Sequence, residues 1–407
     1  MNPLKDSMAV LRQIVQLIPA KLIDKLADKY NVTAQSRSIS PVSHVVAMIY
    51  AQLSHALGLN DVCDSLFNHK GTLSQIRNST PPSRNGLSNA NMTRDAGMAE
   101  ELFWAVKKYL TDTFPTFVTD GRNYPGLPYR FKRTIHVVDS TTIKLIAYCM
   151  DWAKHRRRKA GAKIHLRLDM GSFLPVFALV SSANCNDAIK AHEVCAGVKS
   201  GEIVLFDKAY VDFKHLYSML MRGVFWVTRA KTNMQYDTVG QHASVSGNII
   251  RDERIILKND DSRNDYPEKL RLVEAFVEID KKIVQMIFIT NNFKWAASSI
   301  CDLYRCRWGI EVFFKEIKQT LQLADFLGNS ENAVRWQIWT ALLVYLLVRF
   351  IAWQKKWKHS FNRLFTIIKG VLWNFLDLFS VLECCGTAGV KKANKGSPKQ
   401  RLLPGFR

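Results

Sequence analysis

The chain has 407 residues, 47% of them hydrophobic, so it is long enough and apolar enough to bury a core in two or three domains. Its 57 lysines and arginines outnumber its 35 aspartates and glutamates, and the formal net charge of +22 favours a polyanionic partner, a nucleic acid before an anionic membrane surface. The eight cysteines contain no C-x-x-C pair and no zinc-ligand spacing, which argues against a zinc site and indicates reduced thiols.

The first 125 residues have the pattern of a helical domain. Apolar residues recur at helical spacing over residues 9–27, and a second helix is predicted over residues 41–57, where Pro41 follows the N-cap residue Ser40. The N-terminus lacks the basic-then-apolar pattern of a signal peptide. We therefore expect a cytoplasmic protein.

Short helices broken by prolines are predicted over residues 73–94. The Pro81-Pro82 pair and Gly86 interrupt the helical pattern, and a new helix is expected to begin near Ser88. This pattern is compatible with a helix-turn-helix, and equally with a loop between two packed helices.

From Arg133 onward the pattern changes to strands. Apolar or alternating runs predict strands at residues 134–139, 163–169, 174–181, 202–207 and 224–229. The first and fourth runs end in acids, Asp139 and Asp207. A strand that ends in an acid exposes the carboxylate where the chain turns, although an aspartate that merely caps a turn gives the same pattern.

A basic run of residues 154–167 lies between the first two predicted strands and holds seven lysines or arginines but no acid. Such a run is usually a solvated loop. Its position next to the acid-bearing strands nevertheless predicts contact with DNA phosphates. The candidate residues are Arg156, Arg157, Arg158 and Lys163, followed by Arg229 and Lys231 at the end of the fifth strand.

The later segments alternate between strands and helices. Residues 236–291 show strand patterns and no evident helix, which predicts a β-rich insertion between core segments 130–235 and 292–330. Helices are predicted at residues 334–357 and 361–379, within a C-terminal helical region of residues 331–385.

The apolar run of residues 338–348 stops at Arg349, well short of the roughly 20 residues that span a bilayer, so it predicts a core helix and no membrane span. Residues 386–407 form a short basic tail that we expect to be mobile.

Four polar residues share one predicted helix near residue 310. Tyr304, Arg307, Glu311 and Lys318 lie at positions i, i+3, i+7 and i+14, within roughly 60° of one another at about 100° per residue. One face would then carry a carboxylate, two cations and a phenol, which suits a ligand with several phosphates and a divalent metal. A solvated, salt-bridged helix face is the alternative interpretation.

The order and spacing of these residues, Y-x-x-R-x-x-x-E-x-x-x-x-x-x-K, resemble the signature of the insertion-sequence-four family of bacterial DDE transposases. The resemblance implies an α/β fold of the α+β kind, with a ribonuclease H-like core, and some members carry a β-domain between the second aspartate and the glutamate. It also implies that Asp139, Asp207 and Glu311 form a catalytic triad.

The resemblance implies metal-dependent cleavage of DNA followed by strand transfer. Carboxylate oxygens suit Mg²⁺ or Mn²⁺, and two ions about 4 Å apart serve in-line displacement at a phosphodiester. Water and then a DNA 3′-hydroxyl would be the nucleophiles. Tyr304, Arg307 and Lys318 are implied to hold phosphates, and Trp308 either stacks on an extruded base or packs in the core.

The implied partner is DNA, both the terminal inverted repeats of the transposon and the target, bound by a dimer in the bacterial cytoplasm. Two alternatives remain open. A non-catalytic DNA-binding protein derived from a transposase would keep the basic surface, but it has no physical need for three metal-ligating acids. A structure-specific nuclease of the same fold would cleave without strand transfer, and only an assay for joined products separates it from a transposase.

Overall fold

Helices and one large sheet make up the residues that the computed structural model describes, namely 8–35, 39–119, 131–145, 154–156, 159–182, 186–279, 282–321 and 327–385. The predicted tail of residues 386–407 lies outside these ranges, as do Arg157 and Arg158.

Eight described α-helices fill the N-terminal region: α1 (Val10–Val15), α2 (Leu22–Lys29), α3 (Pro41–Ser54), α4 (Leu59–Asn68), α5 (Lys70–Ser74), α6 (Arg84–Thr93), α7 (Gly97–Thr113) and α8 (Thr116–Thr119). The helix predicted near Ser88 begins earlier, because the Ser83 hydroxyl accepts a hydrogen bond from the Gly86 N–H at 3.1 Å and caps α6. The apolar repeat of residues 9–27 divides into α1 and α2 around Pro19.

The central strands follow the ribonuclease H-like order. Antiparallel pairs join β1 (Ile135–Leu145), β3 (Lys159–Asp169) and β4 (Leu174–Ser182). On the other side of β1 lie β5 (Ile203–Phe206) and β6 (Phe225–Arg229), both parallel to it. Helices α9 (Asp187–Val194) and α10 (Phe213–Met221) connect β4, β5 and β6. The spatial order β4-β3-β1-β5-β6 confirms the predicted α/β fold.

Two features of this region differ from the prediction. Strand β1 does not end at Asp139, because its pairing with β3 continues from Asp139 opposite Leu166 to Leu145 opposite Ala160. The basic run is also not a plain loop. Its first residues form β2 (Lys154–Arg156), which pairs with the start of β3 as a hairpin.

Four strands after Arg229 extend the same sheet: β7 (Tyr236–Gln241), β8 (Ile249–Leu257), β9 (Leu270–Ile279) and β10 (Lys282–Thr290). They join it because β10 pairs antiparallel with β6. A helix missed by the sequence pattern, α11 (Asp260–Asp265), is capped by the side chain of Asn259, which accepts from the Ser262 N–H at 3.3 Å. It is too short to show an apolar period.

The predicted signature helix is divided into three pieces, α12 (Ala297–Cys306), α13 (Trp308–Lys315) and a π-helical turn (Glu316–Thr320). Further on lie α14 (Glu331–Gln354), α15 (Phe361–Gly370) and α16 (Leu378–Cys384). The single helix predicted over residues 361–379 is therefore wrong. Between α15 and α16 the chain turns, and Phe375 forms a β-bridge with Ala9.

Helix α14 is long and apolar enough to cross a bilayer by composition, yet 89% of its most apolar window is buried inside the protein. This burial fits the core helix predicted from residues 338–348. In α14, Trp336 and Trp339 are each 1% exposed.

Side chains on β1 and β5 alternate between two helical layers. Val138 and Phe206 face the cluster that includes α9 and α10, whereas Val137 and Leu205 face the cluster that includes α12, α13 and α14. Because successive strand residues point to opposite faces, Asp139 follows Val137, on the side of the signature helices.

A buried ion pair ties the added strands to the start of α12. The Arg271 guanidinium donates hydrogen bonds to the two Asp252 carboxylate oxygens at 2.8 and 2.7 Å, and to the Asn292 carbonyl at 3.2 Å. Both paired side chains are 1% exposed, so neither charge has water as a substitute partner.

Replacing Asp252 by Ala should leave the buried Arg271 charge unpaired and lower the free energy of unfolding by about 3–5 kcal/mol, measured by urea denaturation. The matched control is Asp112→Ala, which breaks the exposed Lys108–Asp112 pair and should cost less than about 1 kcal/mol. Equal losses in the two variants would contradict a structural role for the buried pair.

Candidate active site

Two aspartates lie side by side on neighbouring parallel strands. The β1–β5 register pairs Val137 with Leu205 and Val138 with Phe206, the last residue of β5. The next residues are Asp139, still on β1, and Asp207, directly after β5, and neighbouring strands are about 4.8 Å apart. Because β5 ends at Phe206, no strand pairs with β1 beside Asp139 on the β5 side, although β1 itself continues to Leu145. Its carboxylate accepts a hydrogen bond from the Ser140 N–H at 2.7 Å.

Arg307 connects the third predicted acid to the first. Its Nη2 donates to Glu311 at 2.6 Å, and its Nη1 lies 3.4 Å from the Asp139 carboxylate. The guanidinium is also close to two aromatic rings, 5.5 Å from the Tyr304 centroid and 5.2 Å from that of Trp308. The Arg307 side chain is only 9% exposed, so its direction is fixed by these contacts.

Glycine allows α13 to approach the sheet closely. A Cβ atom on Gly309 would lie 2.5 Å from the Met170 methyl group in the turn between β3 and β4. Any larger residue would require either the Met170 side chain or α13 to shift.

The carboxylates interact electrostatically. The pKa of Asp139 is raised from 3.8 to about 7, mainly by burial and to a smaller extent by the charges of Asp207 and Glu311, against the opposing effects of the Ser140 N–H and Arg307. Such repulsion between carboxylates is relieved when a cation lies between them. In this conformation Arg307 supplies part of that positive charge.

Among the described residues, no three carboxylate, histidine or cysteine side chains converge as a complete metal site. Arg307 is bonded to both Asp139 and Glu311. The donor chemistry nevertheless fits Mg²⁺ or Mn²⁺, because the three acids are hard oxygen ligands and two of them follow adjacent strands in register.

The signature residues do not form one exposed face. The predicted helix is interrupted at Arg307, and Tyr304 is 2% exposed with its ring 4.9 Å from that of Phe288. Burial raises the pKa of the Tyr304 phenol to about 12, so it stays protonated. Glu311, in contrast, is 46% exposed. Sequence spacing alone gives no information on the break or on Tyr304 packing into the core.

The predicted cations occupy different surroundings. Lys318 donates to the Thr142 carbonyl on β1 at 2.7 Å, which places it beside the strand that carries Asp139. Arg229, at the end of β6, lies opposite Phe288 in the β6–β10 register, and the Phe288 ring packs on Tyr304, so Arg229 lies near the same site. Trp308 is half-buried against the core.

Two predicted DNA-binding lysines are bonded within the protein. Lys163 forms an ion pair with Asp187 at 3.0 Å, and Lys231 donates to the Val211 carbonyl at 2.8 Å. Arg156 lies on β2, and nothing more of it is described.

Four further polar residues near the site were not identified from the sequence. His165 lies opposite Ser140 in the β1–β3 register, and its Nδ1 is 3.2 Å from the Tyr210 hydroxyl. Arg349 and Glu316 form an ion pair at 2.6 Å. Arg349 could have been noticed, since a charged residue at the end of an apolar run needs a buried partner.

Comparison with known proteins identifies the family of this chain. The family described as transposase DDE domain matches residues 130–347, more than half of the chain. The chain belongs to this family. A second family, described only as a domain of unknown function, matches residues 7–76.

Curated transposases of bacterial elements are among the relatives of this transposase DDE domain protein. A candidate transposase of Sinorhizobium fredii is 33% identical over 54% of this chain and 61% of its own length. The probable transposase for IS5377 of Geobacillus stearothermophilus is 27% identical over 56% and 59%. The transposase for IS4 of Escherichia coli is 23% identical over 46% and 43%. The chain thus spans about three fifths of the first two relatives, and the predicted resemblance to the insertion-sequence-four type is confirmed.

The raised pKa of Asp139 predicts that its charge destabilises the metal-free protein. The unfolded aspartate ionises above about pH 4 but the folded one only above about pH 7, so the penalty is absent below pH 4, grows between these values and is complete above pH 7. Asp139→Asn should therefore raise the free energy of unfolding at pH 8 by about 4 kcal/mol, and at pH 5 by less than half as much.

Urea denaturation at both pH values, in buffer with a chelator, tests this prediction. Asp112→Asn is the control, because that side chain is 61% exposed and should give little change at either pH. A stabilisation by Asp139→Asn that is as large at pH 5 as at pH 8 would exclude the charge as its cause.

Proposed function

We propose that the chain is an insertion-sequence transposase that cleaves DNA at the ends of its element and transfers the strands into target DNA. The observation that carries this proposal is the register that brings Asp139 and Asp207 side by side, with Glu311 tied to Asp139 through Arg307. Three acids and a buried arginine suit chemistry at a phosphodiester.

In this proposal Asp139, Asp207 and Glu311 hold two Mg²⁺ or Mn²⁺ ions. Such ions activate the attacking oxygen and stabilise the leaving oxygen when bound. The acids contribute hard oxygen ligands and do not act as the main proton carriers. Asp139 binds a cation only after it has lost its proton, so its raised pKa favours loading at pH 7 and above.

Arg307 has the position to bind the scissile phosphate. It donates to both acids in this conformation, and a phosphate that approaches them offers the same guanidinium a bidentate partner. The rings of Tyr304 and Trp308 restrict the plane of the guanidinium. Lys318 lies near β1 through its bond to Thr142 and adds a second cation.

The segments of the chain have separate roles in this proposal. We infer that residues 1–125 recognise the transposon ends, that residues 130–235 and 292–330 form the catalytic core, and that residues 236–291 and 331–385 extend it. The hairpin that carries Arg156, together with the net charge of +22, provides contacts to the DNA backbone. The functional unit is a dimer on DNA in the bacterial cytoplasm.

Replacing any one acid by Ala, in Asp139→Ala, Asp207→Ala or Glu311→Ala, should abolish cleavage while end binding stays largely intact. Each change removes a metal ligand, whereas the helical region that we assign to end recognition is left untouched. The assay incubates purified protein with labelled end DNA, target plasmid and Mg²⁺, and scores both nicked and joined products.

Binding of the same end DNA, measured by gel shift, is the control for folding. A variant that nicks at the wild-type rate would remove its residue from the triad. Nicked product without joined product from the wild type would favour a nuclease over a transposase.

Arg307→Lys should slow single-turnover cleavage by more than tenfold, although the charge is kept. A lysine is a point charge and cannot bond two partners in the planar arrangement of the guanidinium. The matched control is Arg305→Lys, since Arg305 lies two residues away on α12 and is 53% exposed. Equal rates for Arg307→Lys and wild type would show that only charge matters at this position.

A further inference from the structure

We propose that the buried Arg349–Glu316 ion pair is a positioning device that holds the end of the catalytic helix in its π-helical form and so places Lys318. This inference rests on the proposed function, because it concerns the same site. Neither residue touches the three acids or the scissile phosphate in the proposed arrangement. Both act through the helical segment that follows Glu311.

The ion pair is short, and little of it reaches solvent. Arg349 Nη2 lies 2.6 Å from the Glu316 carboxylate, and the two side chains are 9% and 12% exposed. Arg349 Nε also donates to the Tyr345 hydroxyl at 2.8 Å, which donates in turn to the Phe173 carbonyl at 3.1 Å. Glu316 is thereby joined through α14 to the turn between β3 and β4.

Aromatic rings fix the direction of the guanidinium. Its central carbon lies 5.0 Å from the ring centroids of Phe173 and Tyr345 and 5.1 Å from that of Phe361. An arginine held by three rings and a tyrosine hydroxyl has few other conformations. The position of Glu316 is therefore determined by α14 as well as by its own helix.

The position of Glu316 matters because it begins the π-helical turn. A π-turn is rare and less favourable than continued α-helix, so it persists where tertiary contacts hold it. Lys318 lies in this turn, and its Nζ reaches the Thr142 carbonyl on β1 at 2.7 Å. If the turn relaxed to α-helix, Lys318 would rotate about the axis and lose this position relative to Asp139.

A purely structural role for the pair makes a different prediction. Buried ion pairs often add little net stability, although loss of one partner is costly. If the pair only stabilised packing, its loss would reduce the fraction of active molecules but not the rate of those that remain. If it positions Lys318, the rate itself falls.

The experiment compares Arg349→Ala with Arg335→Ala in single-turnover cleavage of end DNA. Arg335 is on the same helix α14 and forms an exposed pair with Glu331 at 3.4 Å, so it is a matched control. We expect Arg349→Ala to lower the rate constant more than tenfold with end binding within twofold of wild type, and Arg335→Ala to leave both unchanged. An unchanged rate constant with a smaller amplitude would overturn the proposal.

Chemical rescue provides a readout that general destabilisation does not give. Arg349 lines a cavity of about 840 Å³ that also contacts Trp353, Trp357 and Phe361, which gives a small cation access to the vacated position. Methylguanidinium should restore at least part of the rate of Arg349→Ala, and should not affect Arg335→Ala. Equal effects on both variants would contradict the positioning role.

Hydrogen–deuterium exchange separates this proposal from the proposed function. In Arg349→Ala the amides of residues 311–321 should exchange at least tenfold faster than in wild type, with no such change in Arg335→Ala. If the wild type fails to cleave DNA, the proposed function is wrong, yet this measurement still tests the coupling. Unchanged exchange in this segment would exclude it.

Discussion

The contact of one buried arginine with two acids is the interaction on which the site depends. Arg307 holds Asp139 and Glu311, which come from a strand and a helix far apart in the sequence. Without a cation the two carboxylates would repel each other, and burial already raises the pKa of Asp139 to about 7. The site is therefore assembled around positive charge, which in the resting conformation the protein itself provides.

Strand register supplies the rest of the geometry. Asp207 needs no helix to reach Asp139, because the β1–β5 pairing ends one residue before both. The signature helices pack on the same face of the sheet as Asp139, and the chain reaches α12 from β10, which pairs with β6. Arg271 bonds the Asn292 carbonyl just before that helix, so the added strands help to set where it begins. A substitution in residues 236–291 that moves Arg271 can thus shift the start of α12 without contacting the three acids.

The sequence was sufficient for local features and insufficient for those set by distant contacts. Strand patterns and the signature spacing predicted the α/β core, which is confirmed, and the two aspartates as candidates, because alternation and helical period are local properties. The burial of Tyr304 was missed, since it depends on packing against Phe288 of another element. The interruption at Arg307 was missed as well, because the spacing pattern of the signature continues through it. The extension of β1 beyond Asp139 was missed because its partner β3 decides where it ends.

The net positive charge of a segment does not show which of its lysines and arginines contact DNA. Lys163 lies in the basic run, yet it pairs with Asp187 at 3.0 Å, and the two side chains are only 13% and 17% exposed. A phosphate could recruit it only by breaking a bond that is largely shielded from water. Arg167 lies four residues after Lys163 on the same strand, β3. It donates to the Val194 carbonyl and is 6% exposed. The end of the hairpin that carries Lys163 and Arg167 therefore serves the fold, and DNA contact by this hairpin stays a prediction for its other end, where Arg156 lies.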